Sequence, residues 1–439
     1  MHIHWAFPLL FPLSTLVVGA PTPDSTTEVT STEDVSHSDA TSPFWQDYTY
    51  CQGRTIAPGG GEWAPLKDAQ IVKLAVLHRH GARSPALGKL PNDDTEWYQC
   101  GKPDEFVFMN KGESLAAARS PFMKEEVIID GAFASKLWKG NCDIGELTTL
   151  GSLQLQELGR TLRTVYVDTL SFLPEKMPSN IGIRHTYIWR TRMSVENLFQ
   201  GLYPLDTREP DQTLTMNVKP SPIEVMVSPA SACPKLANLT AVFSTSAEYN
   251  ATMAPYTEVQ NKLVDAYNAS ALTAYKPYLY DSASAAFCHG LGLKGDLTEE
   301  DIQVAVVPGT SGYHNLWRQN SQAEVVKRLG VGAWLQEILA ALADLSSPMQ
   351  VYSAHDASLD MFLAVVADPD LPWPAFASNV IIEQWQKADG SLVVRMFYEG
   401  MIVPAHPNLD CDFSGCPIET LESFLKQYIP TDFTAECKL

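Results

Sequence analysis

Gln70-Ile71-Val72-Lys73-Leu74-Ala75-Val76-Leu77 runs directly into His78-Arg79-His80-Gly81-Ala82-Arg83-Ser84-Pro85. The first half is a short, nearly continuous apolar run, as expected of a strand buried on both faces of a parallel sheet. The second half extends a strand poorly. The chain should therefore leave the sheet at the carboxyl end of a buried strand, where open α/β sheets hold their ligands. Arg79 and Arg83 can each grip an oxyanion with a bidentate fork. His80, between them, is a nucleophile or proton carrier at ordinary pH. Gly81 would let the backbone approach a ligand, and Pro85 stiffens the exit. With average residue usage, R-H-G-x-R-x-P should arise by chance in roughly one chain in 10⁴.

A chain of 439 residues, 45% hydrophobic and 19% charged, can bury a large core and suggests two or three domains. Residues 1–20 hold an apolar stretch broken by Pro8 and Pro12 and ending in Val18-Gly19-Ala20. It reads as a secretory signal, although its start carries no Lys or Arg, and is too short and interrupted for a membrane anchor. Residues 21–44, rich in Ser, Thr, Asp and Glu, read as a disordered leader. Eight cysteines agree with export and allow four disulfides in roughly a hundred pairings. Sequons at Asn238, Asn250 and Asn268 fit a glycosylated, extracellular surface. A net charge of −20 makes nucleic acid and anionic membranes poor partners. If phosphate binds, local arginines must overcome that field.

Residues 86–141 form a long insertion after the basic loop, with an amphipathic helix expected near Leu115–Ile129 and a possible role as wall or lid. Gly145-Glu146-Leu147-Thr148-Thr149-Leu150-Gly151 opens a helix with Thr148 as N-cap; Leu150, Leu153, Leu158, Leu162, Val165 and Tyr166 form its apolar stripe. Ile181–Arg184 is a short strand and Thr191–Leu202 a helix, with Arg190 at their junction, where backbone amides favour an anion. Residues 231–301 read as a smaller helical domain. Gln322–Leu345 is a helix broken near Gly330-Val331-Gly332. Met349–Ala354 is a second buried strand, followed by His355-Asp356 and a helix. Val380–Trp385 and Leu392–Tyr398 form a hairpin, and Cys411 and Cys416 are close enough to bridge. The expected architecture is α/β: a mostly parallel central sheet flanked by helices, with a second, mainly helical domain. Residues 45–230 and 302–439 make the first domain and 231–301 the second.

One sheet edge would thus collect Arg79, His80 and Arg83, then Arg190, then His355 and Asp356. Three guanidinium groups suit a phosphate monoester, whose transfer is mostly a matter of position and electrostatics. The imidazole that attacks phosphorus must be neutral, and neighbouring arginines depress its pKa. The departing alcohol needs a proton; Asp356 beside bound phosphate could supply it and later activate water. No metal or other cofactor is required. His289 and His314 read as structural.

The pieces Arg79–Pro85, Gly145–Gly151, Arg184–Thr191 with Gly201-Leu202-Tyr203-Pro204, and Ser353-Ala354-His355-Asp356 resemble, in this order, the histidine acid phosphatase family, the secreted branch of the histidine phosphatases. The resemblance implies an α/β sheet sandwich with a smaller helical domain over the site. It implies His80 as the phosphohistidine nucleophile, Arg79, Arg83, Arg190 and His355 as phosphate ligands, and Asp356 as proton donor. The third piece departs from the family's usual R-S-T-D-x-D-R-T: His185 replaces a small residue, and Tyr187 and Trp189 replace two acids. That bears on the pocket wall and on substrate preference. The expected function is a secreted acid phosphomonoesterase. Alternatives are a phytase-like specialist, a secreted anion-binding protein without turnover, and a phosphoglycerate-mutase-type transferase, which fits export poorly.

Overall fold

The structure is a computed structural model that describes residues 44, 48–58, 62–100, 105–107, 122–124, 130–209, 212–272, 278–369 and 371–439. The signal and leader expected over residues 1–44 lie outside it, except Phe44, which is buried and stacks on Tyr398 at 6.0 Å. Phe44, the last residue of the stretch assigned to the leader, thus belongs to the packed fold.

The strands, in chain order, are β1 (Ala69–Arg79), β2 (Glu96–Trp97), β3 (Glu105–Val107), β4 (Phe122–Lys124), β5 (Lys139–Gly140), β6 (Gly182–His185), β7 (Met216–Val218), β8 (Met349–Ala354), β9 (Asn379–Lys387), β10 (Leu392–Tyr398), β11 (Met401–Ile402) and β12 (Cys416–Pro417). The main sheet runs β11-β10-β9-β1-β8-β6-β7, with β12 on β10. Strands β1, β8, β6 and β7 are parallel to one another, whereas β9 pairs antiparallel with both β1 and β10. The expected hairpin thus joins the same sheet, adding antiparallel strands on one side of its parallel run.

The helices are α1 (Thr149–Arg163), α2 (Trp189–Leu202), α3 (Pro234–Phe243), α4 (Ala247–Met253), α5 (Thr257–Ala266), α6 (Tyr280–Cys288), α7 (Glu299–Arg318), α8 (Ala323–Ala343), α9 (Asp356–Val366), α10 (Ile418–Lys426) and the short α11 (Phe433–Glu436). Strand β1 shows why two layers cover the sheet. Its alternate residues Leu74 and Val76 join the core under α1 and α2. Ala75 and Leu77 join the core under α8 and α9. All four are fully buried, which is what a continuous apolar run means in a sheet covered on both faces. A third cluster packs Tyr50, Ala82 and Phe376 against Val259, Leu279 and Tyr280 of the helical segment.

Local expectations fared unevenly. Thr148 caps α1, its side chain accepting from the Gly151 N–H. The buried stripe of α1 is Leu155, Leu158 and Leu162, carried on by Val165 and Tyr166 in a π-helical turn. Leu153 instead faces solvent, 52% exposed. Helix α8 is continuous through Gly330 and Gly332. A Cβ at Gly330 would sit 2.4 Å from the Trp317 ring, and one at Gly332 2.2 Å from the Tyr428 carbonyl oxygen. These glycines admit neighbours; they do not break the helix. The helix expected at Leu115–Ile129 lies outside the described residues except at Phe122–Lys124, which is strand paired with Glu105–Val107. The disulfides are Cys51–Cys288, Cys100–Cys142, Cys233–Cys437 and Cys411–Cys416. Such bridges belong to an oxidising, extracellular or lumenal compartment. Among the described residues no helix is long and apolar enough to cross a membrane.

Candidate active site

Strands β1, β8 and β6 end together. Arg79 pairs with Ala354, and Ser353 with both His78 and His185. The residues just beyond are therefore neighbours. The His80 N–H donates to the Ala354 carbonyl at 3.0 Å and the Thr186 N–H to Ser353 at 3.3 Å. The rings of His80 and His355 lie edge to face with centroids 5.4 Å apart.

The loop after β1 is clamped by the Gly145–Gly151 segment. Arg83 bridges Leu147, and the Thr148 N–H and hydroxyl both donate to the Ala82 carbonyl. A Cβ on Gly81 would meet the Gly151 carbonyl oxygen at 2.2 Å. The start of α1 by itself therefore requires a glycine here. Ser194 of α2 accepts from the Gly81 N–H, and Gln154 of α1 accepts from the Ala82 N–H.

His80 is 1% exposed. Its Nδ1 lies 2.8 Å from the Gly81 carbonyl oxygen. A carbonyl only accepts, so Nδ1 carries the proton, and the neutral ring has its lone pair on Nε2. Burial first, then the charges of Arg190, Arg79 and Arg83, hold the His80 pKa well below the usual histidine value. The arginines act as expected, but desolvation is the larger cause. His355 is depressed in the same way, by burial first and Arg190 next. Its Nε2 faces the Thr186 hydroxyl at 3.0 Å.

Three guanidinium groups surround these rings. Arg79 donates to the Pro374 carbonyl at 2.7 Å and to the Tyr50 hydroxyl at 2.9 Å, and meets Asp356 at 2.8 Å. It also stacks over Phe376, 4.2 Å from the ring centroid. Arg83 donates to Ser84 and Asp281. Arg190, near the start of α2, donates to the Gly145 carbonyl at 3.5 Å. Gly145 is itself tied to Pro85. In all three the Nε atom is buried and has no hydrogen-bond partner among the described residues. Burial first, and then the charge of Arg83, lower the Arg190 pKa to about 9. Such a cluster is suited to an oxyanion, which would satisfy the orphaned donors and relieve the repulsion.

Asp356 opens α9, where a carboxylate gains from the helix dipole; one of its oxygens accepts from the Ala357 N–H. Burial raises its pKa, but Arg79 and Arg83 more than offset this, and it falls below the ordinary aspartate value. The raised value expected beside phosphate is therefore not a property of the site without an anion.

All six residues singled out from the sequence surround this one place. Sequence reading missed Tyr50, Thr186, Gln154, Ser194, Asp281 and Phe376. Asp281 left a signal: it is the only charge between Tyr278 and Cys288. His289 and His314 are held by Thr148 and Asp360, as structural histidines should be. Of the departures in the third motif, His185 is buried with Nδ1 on the Thr186 carbonyl. Trp189 points outward, 58% exposed, and stacks on Arg192 at 4.7 Å. No group of side chains suited to hold a metal occurs among the described residues. Asn238, Asn250 and Asn268 are all exposed.

A family model described as histidine phosphatase superfamily (branch 2) matches residues 70–399. Counting factor 60 of Dictyostelium discoideum is 25% identical over 393 residues, 84% of this chain and 88% of that protein. Lysophosphatidic acid phosphatase type 6 of Homo sapiens is 24% identical over 392 residues, 84% of this chain and 87% of that one. The apo form of Hafnia alvei phytase superposes with a TM-score of 0.56 at 14% identity, covering 86% of this chain and all of that one. At that identity the likeness is one of fold.

Proposed function

Because the chain belongs to the histidine phosphatase superfamily, branch 2, and is thereby a phosphoric monoester hydrolase, we propose that it is a secreted acid phosphatase working through a phosphohistidine at His80. The observation that carries this is the His80 tautomer: a neutral ring with its lone pair on Nε2, among three arginines whose Nε donors lack partners among the described residues.

In this mechanism the substrate phosphoryl group takes the Nε donors of Arg79, Arg83 and Arg190, with His355 completing the ligand set. The His80 Nε2 lone pair forms the bond to phosphorus as the ester P–O bond breaks. The departing oxygen receives a proton from Asp356. Water then attacks the phosphoryl group, Asp356 accepts its proton, the N–P bond breaks and inorganic phosphate leaves. Substrate negative charge beside Asp356 opposes the pull of Arg79 and raises the carboxyl pKa, so the group can hold a proton when it is needed.

Secretion is supported by the four disulfides and the apolar stretch within residues 1–20; the three exposed sequons are proposed to carry glycans. The helical segment 231–301 is proposed as the domain that caps the site, since α6 brings Asp281 to Arg83. The test is hydrolysis of an aryl phosphate at about pH 5 in the presence of chelator. Wild type should turn over and His80→Ala should not. Equal inactivity of both would leave an anion-binding protein, and phosphoryl transfer between phosphoglycerates exceeding hydrolysis would mark a transferase.

A further inference from the structure

Both oxygens of Asp281 are committed to the segment after β1. Oδ1 accepts from Arg83 Nη2 at 2.9 Å and Oδ2 from the Ala86 N–H at 2.6 Å. The side chain is only 7% exposed. Arg83 Nη1 is used on the Ser84 carbonyl, so its fork is held on one side and its Nε edge is left for an anion. A buried carboxylate here also cancels charge.

The charges facing the site can be named. Arg79, Arg83 and Arg190 are cations; Asp356 and Asp281 are anions. His80 and His355 are neutral, held well below the ordinary histidine range by burial and the arginines. His289, one residue beyond α6, is also lowered, by burial first. The hydroxyls of Tyr50, Tyr267 and Tyr280 are raised by burial and stay neutral. Three guanidinium groups against two carboxylates leave one positive charge. A phosphate monoester offers two forms, singly and doubly charged, divided by an ionisation near ~6. The singly charged form matches the site.

We propose that Asp281 is a positioning residue that orients Arg83 and sets the site's charge so that the singly protonated phosphate monoester is the form taken up. The inference rests on the phosphate site proposed above. It also supplies the proton that an ionised Asp356 lacks. The P–OH proton passes to Asp356, and Asp356 returns it to the ester oxygen as the P–O bond breaks and the bond from His80 Nε2 to phosphorus forms. The products are the neutral alcohol and a phosphohistidine whose ring has gained the positive charge.

The test is calorimetric binding of inorganic phosphate and of sulfate to the full chain at about pH 5, where phosphate is singly charged and sulfate doubly. Wild type should prefer phosphate. Asp281→Asn should move the preference toward sulfate by about tenfold or more, the size of one added charge at such distances; Asp281→Glu should restore it. A purely structural role would weaken both anions alike, and an unchanged ratio overturns the inference. A second measurement needs no variant. In wild type, phosphate affinity should fall relative to sulfate affinity as pH rises from about 5 to about 8, since only phosphate changes its charge over that range and sulfate reports what the protein's own groups contribute. Phosphate binding that tightens relative to sulfate over that range overturns the inference. Failure of wild type to bind either anion overturns the phosphate site and this inference together.

Discussion

Arg79 Nη2 and Asp356 Oδ2 meet at 2.8 Å, joining the last residue of β1 to the first residue of α9. The contact follows from register: Arg79 and Ala354 are the final pair of two parallel strands, and Asp356 stands two residues beyond. An arginine committed to a carboxylate and a tyrosine hydroxyl is already aimed, and the same contact keeps that carboxylate ionised until an anion competes for the guanidinium.

Asp356→Asn should therefore be selective in its damage. With an alkyl phosphate, whose alkoxide leaves poorly, kcat should fall by about 10²–10⁴. With a nitrophenyl ester, whose leaving group needs little protonation, the loss should be far smaller. Steady-state rates on the two esters check this; equal losses would remove Asp356 from the proton path.

His80→Ala should lower kcat by at least about 10³ while leaving phosphate binding measurable, since three arginines remain. Wild type quenched in alkaline denaturant during turnover should carry phosphorus on His80 through a bond that acid then cleaves. Mass spectrometry of the quenched protein decides. Fast hydrolysis without that adduct refutes the covalent route.

Acidification should cost stability through the buried imidazoles. His78 is fully buried and burial lowers its pKa from 6.5 to about 4. The folded state binds the proton less readily than the unfolded chain. The stabilisation is thus complete above pH 6.5 and is lost as pH falls through about 4, amounting to about 3 kcal/mol. His78→Asn keeps a side-chain donor for the Arg79 carbonyl and should flatten that part of the decline. Thermal melting of both proteins between about pH 7 and about pH 4 is the measurement; parallel curves would count against it.

Gly81→Ala should destabilise by about 3 kcal/mol or more, because its Cβ would meet the backbone of Gly151 rather than a movable side chain. Gly415→Ala, where a Cβ meets nothing within 4 Å, should change little. Denaturant midpoints of the two variants test the contrast.

Much of this was legible because it is local. An apolar run that stops at arginine and histidine marks β1 and its loop, and the same logic finds β8 with His355 and Asp356. Thr148 could be read as a cap from its place before an apolar stripe. What was not legible depends on partners distant in sequence. The clamp on Gly81 could not be read because Gly151, 70 residues away, cannot be seen beside it. The glycines of α8 looked like breaks because Trp317 and Tyr428 were not yet against them. Asp281 and Tyr50 act through arginines on another element, and no periodicity encodes such a pairing. The mixed sheet was half visible: the hairpin could be found, but not that its first strand lies against β1.

Strand β1 (Ala69–Arg79) sits between β9 (Asn379–Lys387) and β8 (Met349–Ala354), both made long after it. At the usual pace of about 5–20 residues per second, a ribosome takes about 15–60 seconds to deliver both neighbours. Throughout that interval an apolar strand, buried on both faces in the finished sheet, has two open edges and neither of its native neighbours. Biosynthesis of this protein thus carries an early, prolonged exposure to aggregation, and its yield in a foreign host should depend on chaperones that shield a nascent strand more than on the stability of the finished fold.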